Sequence, residues 1–565
     1  MKKFLLILFT LILASSMLLF ACAEPEEEPA PAPEKPAPAP EKPAPAPEKP
    51  APAPEKPAPE PPKPGPVEPE PGPDPLAKPE GGKYGGWLVL PTSSDFSNIG
   101  HTAEISNPTD AGYSFLCTEG LLWLDEDGNI LPLLAESWDI AEDGSYVEFK
   151  LRKGINFTDG VPFNAEAVKV NVDIQLEQKV WTNLHPLESC EIIDDYTVRM
   201  HFDDDRYDWG VINSLAVFFS CKMFSPDFLL NETDDYKRSH VVGTGPFILD
   251  EYARGRHIKY VRNEDYWRGR PYLDGIELRI IPQMETQLLA FQAGELHFVG
   301  IQAKDAADMI DKGYDVTVSY DFVFNGGLMF SAGRDNPDSL WTDIRVRRAA
   351  AHAVDQDLLI EGLTYGYGKS SNQVFIEAQP WYNPDVVGYE YDPGKSKALL
   401  EEAGLGGGFN TDWHILDFMP LDTPTAVQDM LRQVSINVKF QMVSMPIFNS
   451  QVATGWEGIV WGGVFAGSSM EPSGQMVNGV LNGRTTWVGA IQPDELYEMA
   501  LEANSERDFD KRKELYQYIA RSLTDDYCQI AYLPYMPGIS AISPVVKNAL
   551  FGTTLYQYTF AWLEE

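Results

Sequence analysis

The part of the chain from Lys83 to Glu565 predicts an α/β fold, because strand and helix patterns alternate along it. Two segments alternate apolar with polar residues, as half-buried strands do. They are YVEFKLRKG, which starts at Tyr146, and TVRMHF, which starts at Thr197. The segment is long enough for roughly three domains of typical size.

Three helices are predicted from caps and apolar faces. Asn164 is positioned to cap the first, and one face of that helix carries Ala165, Val168, Val172 and Leu176. Asp392 and Pro393 open the second, which closes at Gly404. The third is indicated by an apolar stripe of Phe509, Tyr516, Ile519, Ala520 and Leu523. Such stripes are typical of core packing rather than of cofactor binding.

Residues 1–21 predict a secretory signal peptide. Lys2 and Lys3 precede an almost wholly apolar run that ends at Phe20. The tetrapeptide that ends in Cys22 resembles a bacterial lipobox, so we expect Cys22 to become a lipidated N-terminus that anchors the protein to a membrane. The alternative is an uncleaved anchor helix in which Cys22 is incidental.

Residues 22–82 predict the lipidated cysteine followed by a proline-rich linker. Four copies of PAPAPEK occupy residues 29–56. Proline fixes φ and removes backbone donors, so this segment favours an extended polyproline II spacer. At about 3.1 Å per residue, its reach is at most roughly 180 Å. A ligand for a proline-binding domain is the alternative interpretation.

The formal net charge of −40 makes nucleic acid and anionic lipid surfaces poor partners, and its self-repulsion favours a monomer. Four cysteines follow Cys22, and none belongs to a CxxC motif. If a disulfide forms, we favour Cys190 with Cys221, because both are expected in one subdomain. Free buried thiols are the alternative, and they would include Cys117 and Cys528.

No catalytic, metal or cofactor motif is present. The segments GYGKS and DPGKS lack the first glycine of a phosphate loop, since Leu363 and Tyr389 stand there. LDEDGNI begins like a calcium loop but has Ile130 at the position of the turn glycine. The sequence contains neither HxxxH nor GxSxG. We therefore predict no enzyme, no metal and no cofactor, with a secreted hydrolase of dispersed catalytic groups as the rival hypothesis.

Several blocks between about residues 88 and 535 resemble the family 5 extracytoplasmic solute-binding proteins, which include peptide and nickel receptors of ABC importers. They occur in the order of that family. The blocks are GLLWLDEDGNILPLLAESWDIAEDGSYVEFKLRKGINFTDGVPFNAEAVKVNVD, VVGTGPFILDEYARGRHIKYVRNEDYWRGRPYLDGIEL, LLAFQAGELHF, TDIRVRRAAAHAVDQDLLI, YDPGKSKALLEEAGL and DFDKRKELYQYIARSLTDDYCQIAYLP.

The resemblance implies a two-lobed, periplasmic-binding-protein-like fold of type II with three subdomains and two hinge strands. Lobe one is expected to comprise residues 83–283 and 534–565, with an inserted subdomain at about 121–235, and lobe two residues 284–533. The hinges are then expected near Ile281-Pro282-Gln283 and Leu533-Pro534. From their local patterns, the glycines of GTGPF are expected to form a tight turn. Arg345, Arg347 and Arg348 are expected on a solvated or lobe-bracing helix face, with an anion site as the alternative.

In function, the resemblance implies an extracytoplasmic receptor that delivers a short peptide or similar small solute to ABC permease subunits. An oligosaccharide or another polar organic ligand is the alternative within the same fold. A signalling receptor is a third hypothesis, for which no fused output domain is visible.

The ligand is expected between the lobes. Peptide receptors of the family commonly hold the ligand ammonium with an aspartate in a W-x-x-D-x-x-D-P stretch, but the corresponding VWGGVFAGSSMEPSG retains only Glu471 as an acid. An unpaired buried ammonium is costly, so a free peptide N-terminus is in question as the anchor. Aromatic loop residues are candidates instead, although core packing is the alternative for each tryptophan. The expected ligand-binding residues are Ser94, Asp95, Phe96, Trp381, Tyr382, Trp461, Phe465, Glu471 and Trp487.

Overall fold

The computed structural model describes residues 77–564, except 103, 105–111, 126–128, 179–185, 204–206, 217–220, 321–322, 334–335, 467–471, 473–475, 483–485 and 550–557. These described residues belong to one unit, Pro73–Glu565. The predicted signal peptide, Cys22 and nearly all of the linker lie outside the described residues. No described helix has both the length and the apolar character needed to cross a bilayer.

Twenty strands are assigned in the described part of the chain. They are β1 (Trp87–Thr92), β2 (Leu122–Leu124), β3 (Ile130–Pro132), β4 (Ala135–Ile140), β5 (Tyr146–Leu151), β6 (Leu187–Asp194), β7 (Thr197–Phe202), β8 (Phe247–Ala253), β9 (His257–Arg262), β10 (Gly275–Ile280), β11 (Phe298–Gly300), β12 (Asp315–Ser319), β13 (Val323–Phe330), β14 (Phe409–Leu416), β15 (Ile436–Val443), β16 (Ile459–Ala466), β17 (Ile530–Tyr532), β18 (Gly538–Ile542), β19 (Val546–Lys547) and β20 (Trp562–Leu563).

The α-helices alternate with these strands. They are α1 (Ala165–Gln178), α2 (Trp209–Ala216), α3 (Pro226–Asn231), α4 (Asp234–Lys237), α5 (Met284–Gln292), α6 (Ala306–Asp311), α7 (Ile344–His352), α8 (Gln356–Thr364), α9 (Pro393–Glu402), α10 (Asp422–Gln433), α11 (Met445–Thr454), α12 (Asp494–Ser505) and α13 (Phe509–Arg521).

Lobe one is built on two sheets. The first has the order β1-β10-β9-β8, in which β1 runs parallel to β10 and the other pairs are antiparallel. The second has the order β11-β18-β12, so a strand from the C-terminal part of the chain lies at its centre. Val89 of β1 packs in one apolar cluster with Val299 of β11 and Ala541 of β18, which joins the two sheets.

The inserted subdomain forms a separate antiparallel sheet of order β4-β5-β7-β6, against which α1 packs. The two predicted strands are confirmed as β5 and β7, whose residues alternate between buried and partly exposed. The predicted N-cap is confirmed as well, because Asn164 Oδ1 accepts a hydrogen bond of 3.0 Å from the backbone nitrogen of Ala167. The cap satisfies a donor that the first helical turn leaves open.

Lobe two is a five-stranded mixed sheet of order β15-β14-β16-β13-β17 with helices on both faces. Successive residues of β13 supply its two cores: Leu328 and Phe330 pack in the cluster around Trp413, and Met329 packs in the cluster around Tyr516. The other two predicted helices are confirmed as α9 and α13.

Arg347 of α7 fulfils the bracing role expected for the arginine cluster. Its side chain is 2% exposed, and its guanidinium donates to the backbone carbonyls of Trp341, Thr342, Tyr527 and Cys528. It thereby connects two chain segments that lie far apart in the sequence.

The chain passes between the lobes twice. The first pass leads from β12 to β13 through Tyr320, and the second leads from β17 to β18 through Leu533 to Pro537. The predicted second hinge, Leu533-Pro534, lies in the second pass. Residues 281–283 instead lead into α5, and Phe291 of that helix packs with β1 in lobe one. We therefore propose that residues 284–319 belong to lobe one and that lobe two begins near Tyr320.

One buried carboxylate, directly before the first sequence block, is bound by three side chains of the second block. Glu119 accepts hydrogen bonds from Tyr266 Oη (2.7 Å), Trp267 Nε1 (2.8 Å) and Thr244 Oγ1 (2.8 Å). Burial raises the pKa of Glu119, and these three hydrogen bonds oppose that rise. A Cβ on either glycine of GTGPF would lie within 2.6 Å of the backbone of Cys117, so that turn requires glycine for close approach.

All four cysteines of the globular part are free and buried. Burial raises the pKa of Cys117, of Cys190 and of Cys221 to about 12. Because Cys190 and Cys221 are both free, the favoured disulfide between them is absent, and the alternative of buried free thiols is confirmed.

Candidate ligand-binding site

A cavity of about 370 Å³ lies in lobe two beside the second pass between the lobes. Its wall combines Tyr535 from that pass with the segment that follows α8. The lining residues are Ile360, Gly368, Lys369, Ser370, Ser371, Asn372, Phe375, Ile376, Glu377, Tyr382 and Tyr535.

The irregular segment that forms this wall is held by buried amide side chains. Asn325 Nδ2 donates to the carbonyls of Gln373 and Val374, both at 2.9 Å, and Asn325 Oδ1 accepts from Ser371 Oγ at 2.6 Å. Gln373 in turn donates to the carbonyl of Asn383 and accepts from its backbone nitrogen. These bonds satisfy backbone groups that no sheet or helix pairs, and they give the cavity a defined wall.

Tyrosines connect the cavity to both passes between the lobes. The backbones of Lys369 and Tyr535 exchange two hydrogen bonds of 3.0 and 3.2 Å. The ring of Tyr535 lies edge-on to the ring of Tyr320, 5.9 Å between centroids, and the ammonium of Lys369 lies 4.4 Å from the Tyr320 centroid. Burial and the negative charge of Glu377 raise the pKa of Tyr535 to about 12, so this phenol stays protonated and able to donate.

The cavity therefore presents one ammonium, one carboxylate and a protonated phenol. Neither Lys369 nor Glu377 has a salt-bridge partner within the described ranges. Both side chains are exposed. A ligand with groups of both charges would meet a complementary group for each.

The lobe-one loop predicted to contact ligand is held within its own lobe. Tyr113 Oη donates to the carbonyl of Ser94 at 2.6 Å, and Asp95 Oδ2 accepts from the backbone nitrogen of Gly255 at 2.8 Å. Phe96 is 5% exposed and packs against Tyr113 and Tyr252, with ring centroids 5.5 and 4.2 Å away. Phe96 is thus a core residue of lobe one, and we leave it out of the candidate ligand wall.

The adjacent residues Trp381 and Tyr382 have different environments. Trp381 is 3% exposed and packs between Phe509, Tyr516 and Arg512, so it too is left out of the candidate wall. Tyr382 lines the cavity, and its carbonyl accepts a hydrogen bond of 2.8 Å from Gln517 Nε2.

The three remaining aromatic candidates are separated. Trp461 packs on Trp413 in one core cluster of lobe two, whereas Trp487 packs on Trp456 and Phe448 beside the other cluster. The two tryptophans thus lie on opposite faces of the sheet and share no wall. Phe465 lies near the end of β16 that faces the passes, is half exposed, and pairs with Phe324, 5.5 Å between ring centroids. Glu471 lies outside the described residues.

Sequence reasoning missed Lys369, Glu377 and Tyr535. In the sequence, Lys369 stands out only within GYGKS, which lacks the first glycine of a phosphate loop. Tyr535 directly follows the predicted hinge Leu533-Pro534. A polar aromatic residue at a hinge was the sequence signal that could have identified it as a candidate ligand contact. A second cavity of about 560 Å³ lies at the end of the lobe-two sheet where β14 and β15 begin. Its lining includes Trp341, Phe409 and Asp412. None of the predicted site residues lines this second cavity.

Comparison with known proteins gives a consistent family. The model of the middle region of the bacterial extracellular solute-binding proteins, family 5, matches residues 129–486. Heme-binding protein A of Haemophilus influenzae is 31% identical over 322 residues, which are 52% of this chain and 58% of that protein. Oligopeptide-binding protein AppA of Bacillus subtilis is 27% identical over 403 residues, 65% of this chain and 71% of that protein. The nickel-binding periplasmic protein of Escherichia coli is 27% identical over 292 residues, 51% and 55% of the two chains.

Solved structures show the same fold. DppA from Helicobacter pylori in complex with peptide STSA has a TM-score of 0.71 and 23% identity, covering 86% of this chain and 99% of that one. NikA from Brucella suis in complex with Fe(III)-EDTA has a TM-score of 0.71 and 23% identity, covering 84% and 98%. The predicted two-lobed α/β fold is therefore confirmed.

Proposed function

Because this chain belongs to the bacterial extracellular solute-binding proteins of family 5, we propose that it is the substrate-binding receptor of an ABC importer. It captures a short peptide or a similar small solute and delivers it to permease subunits in the membrane. Solute binding, not catalysis, is the role of this family, which weighs against the hydrolase hypothesis. Cys22 carries the lipid that anchors the receptor, and the linker lets the lobes reach the permease.

The proposal that the ligand is a short peptide rests on the cavity beside the second pass. Its ammonium and its carboxylate, neither in a salt bridge among the described residues, and its tyrosines match the ends of a short zwitterionic peptide. Glu377 takes the place of the aspartate that VWGGVFAGSSMEPSG lacks and binds the ligand ammonium, while Lys369 binds the carboxylate. Ligand that contacts Tyr535 and both lobes stabilises the closed arrangement through its differential affinity.

An oligosaccharide or another polar organic ligand remains the second candidate, favoured by the tyrosine faces in the same cavity. The relatives with this fold were solved with ligands as different as peptide STSA and Fe(III)-EDTA, so fold does not select among these classes.

Mass spectrometry of the solute released from protein purified from its native host tests the ligand class directly. Calorimetry with trialanine, N-acetyl-trialanine and trialanine amide tests the two charges. We expect acetylation and amidation each to weaken binding, and Glu377→Gln to remove the difference between trialanine and its acetylated form.

The matched control is Glu401→Gln on α9, an exposed carboxylate in the same lobe outside the cavity. Release of a sugar from the native protein, or equal binding of all three peptides by the wild type, would contradict the peptide assignment. Turnover of a bound ligand would contradict the receptor role.

A further inference from the structure

The inserted subdomain of lobe one also contacts lobe two through residues that belong to neither chain pass. Trp209 Nε1 at the start of α2 donates to the carbonyl of Glu506 at 2.8 Å, and Asn504 Nδ2 donates to Asp208 Oδ2 at 3.3 Å. Arg507 donates to the carbonyl of Glu142 at 3.3 Å. No chain connection holds these segments together, so only noncovalent contacts keep them in place.

The centre of this interface is a guanidinium between two indoles. Arg512 of α13 is 5% exposed, and its Cζ lies 4.1 Å from the ring centroid of Trp209 and 4.7 Å from that of Trp381. Trp209 belongs to lobe one, and the other two residues belong to lobe two. A guanidinium between two indole faces in a nearly water-free site is among the stronger forms of the cation–π interaction.

The same elements form part of the wall of the candidate cavity. Trp381 is followed directly by Tyr382, which lines the cavity. Gln517, one and a half turns after Arg512 on α13, donates to the carbonyl of Tyr382 and accepts from Asn383 Nδ2 at 2.9 Å. These contacts connect Tyr382 to Trp381 and to the helix that carries Arg512.

We propose that Trp209, Arg512 and Trp381, with the flanking contact of Arg507, form a latch, and that the arrangement of the lobes in which these residues touch is the closed one. Rotation about the passes at Tyr320 and 533–537 separates Trp209 from Arg512 and exposes both. The latch consists only of protein groups, so it acts without ligand and sets the fraction of molecules that are competent to retain ligand. The effect of the latch on ligand affinity rests on the proposed function. The existence of the latch does not depend on that function.

Distances between spin labels in the two lobes test the proposal without any ligand. The labels are placed at Glu191→Cys in the inserted subdomain and Lys397→Cys in lobe two, both at exposed positions, in a Cys22→Ser background. The four remaining cysteines are buried and do not compete for the label. We expect Trp209→Leu and Arg507→Ala to shift the distance distribution towards longer values.

The matched control is Arg521→Ala, which removes an arginine from the same helix. Arg521 contacts Tyr518 and Asp526 of its own lobe and is expected to leave the distribution unchanged. Circular dichroism establishes that each variant is folded. If Trp209→Leu destabilises the subdomain, Arg507→Ala at the periphery still tests the latch.

Trialanine binding gives the second readout. A lower closed fraction raises the apparent Kd in proportion, and loss of one buried cation–π contact is expected to weaken binding about tenfold. Absence of trialanine binding to the wild type would count against the proposed function and not against the latch. Distance distributions of folded Trp209→Leu and Arg507→Ala that equal the wild type would overturn the latch.

Discussion

The hydrogen-bond acceptor at Glu119 provides a test of how lobe one holds two distant segments of its chain together. Replacing Glu119 by leucine leaves the buried donors of Thr244, Tyr266 and Trp267 without their acceptor. Each buried donor left unsatisfied costs about 1 to 3 kcal/mol, so the expected loss for the three donors is about 3 to 9 kcal/mol in the free energy of unfolding. A loss of that size is a large fraction of the stability of a typical domain.

Glu119→Gln is the matched control. The amide oxygen can still accept from Thr244 and Trp267, and the amide nitrogen can donate to the hydroxyl oxygen of Tyr266. The expected cost is therefore only about 1 kcal/mol. Urea unfolding followed by tryptophan fluorescence and by circular dichroism measures both variants. A leucine variant within 1 kcal/mol of the wild type, or a glutamine variant as unstable as the leucine variant, would refute the reasoning.

Three further predictions concern anchoring, packing and titration. Intact mass of membrane-extracted protein is expected to begin at a lipidated Cys22, and an unmodified chain that retains Met1 would contradict this. Trp461 and Trp487 pack against separate core clusters outside the cavity, so replacement of either by alanine is expected to lower the melting temperature and leave ligand affinity unchanged. At least about tenfold weaker binding with folding retained would instead identify them as ligand-wall residues. Burial lowers the pKa of Lys222 to about 8 from its ordinary 10.5, so the folded protein binds the Lys222 proton less tightly than the unfolded chain does. The free energy of unfolding of the wild type, relative to that of Lys222→Met, is therefore expected to rise as the pH goes from 8 to 10.5. A difference between the two proteins that does not change with pH would contradict this prediction.

Local features were predictable from the sequence because neighbouring residues determine them. The alternation in β5 and β7 and the cap at Asn164 depend on spacing within one element, and the structure reproduces them. The two-lobed fold followed from blocks that this chain shares with a family.

Features that depend on distant contacts were less predictable. Pro282 follows a strand and looks locally like a hinge, but α5 beyond it packs on β1. Phe96 and Trp381 lie in loops, where aromatic side chains suggest a binding surface, yet each meets apolar partners from remote segments. No local pattern distinguishes such a residue from one that lines a cleft.

The central position of β18 in its sheet has a consequence for the order in which the chain acquires structure. As the polypeptide is synthesised, all strands of the lobe-two sheet have emerged once β17 is complete. The strands β11 and β12 emerge much earlier but have no direct pairing with each other and must wait for β18. Lobe one therefore begins first and is completed last, so its apolar surface stays uncovered throughout the synthesis of its neighbour.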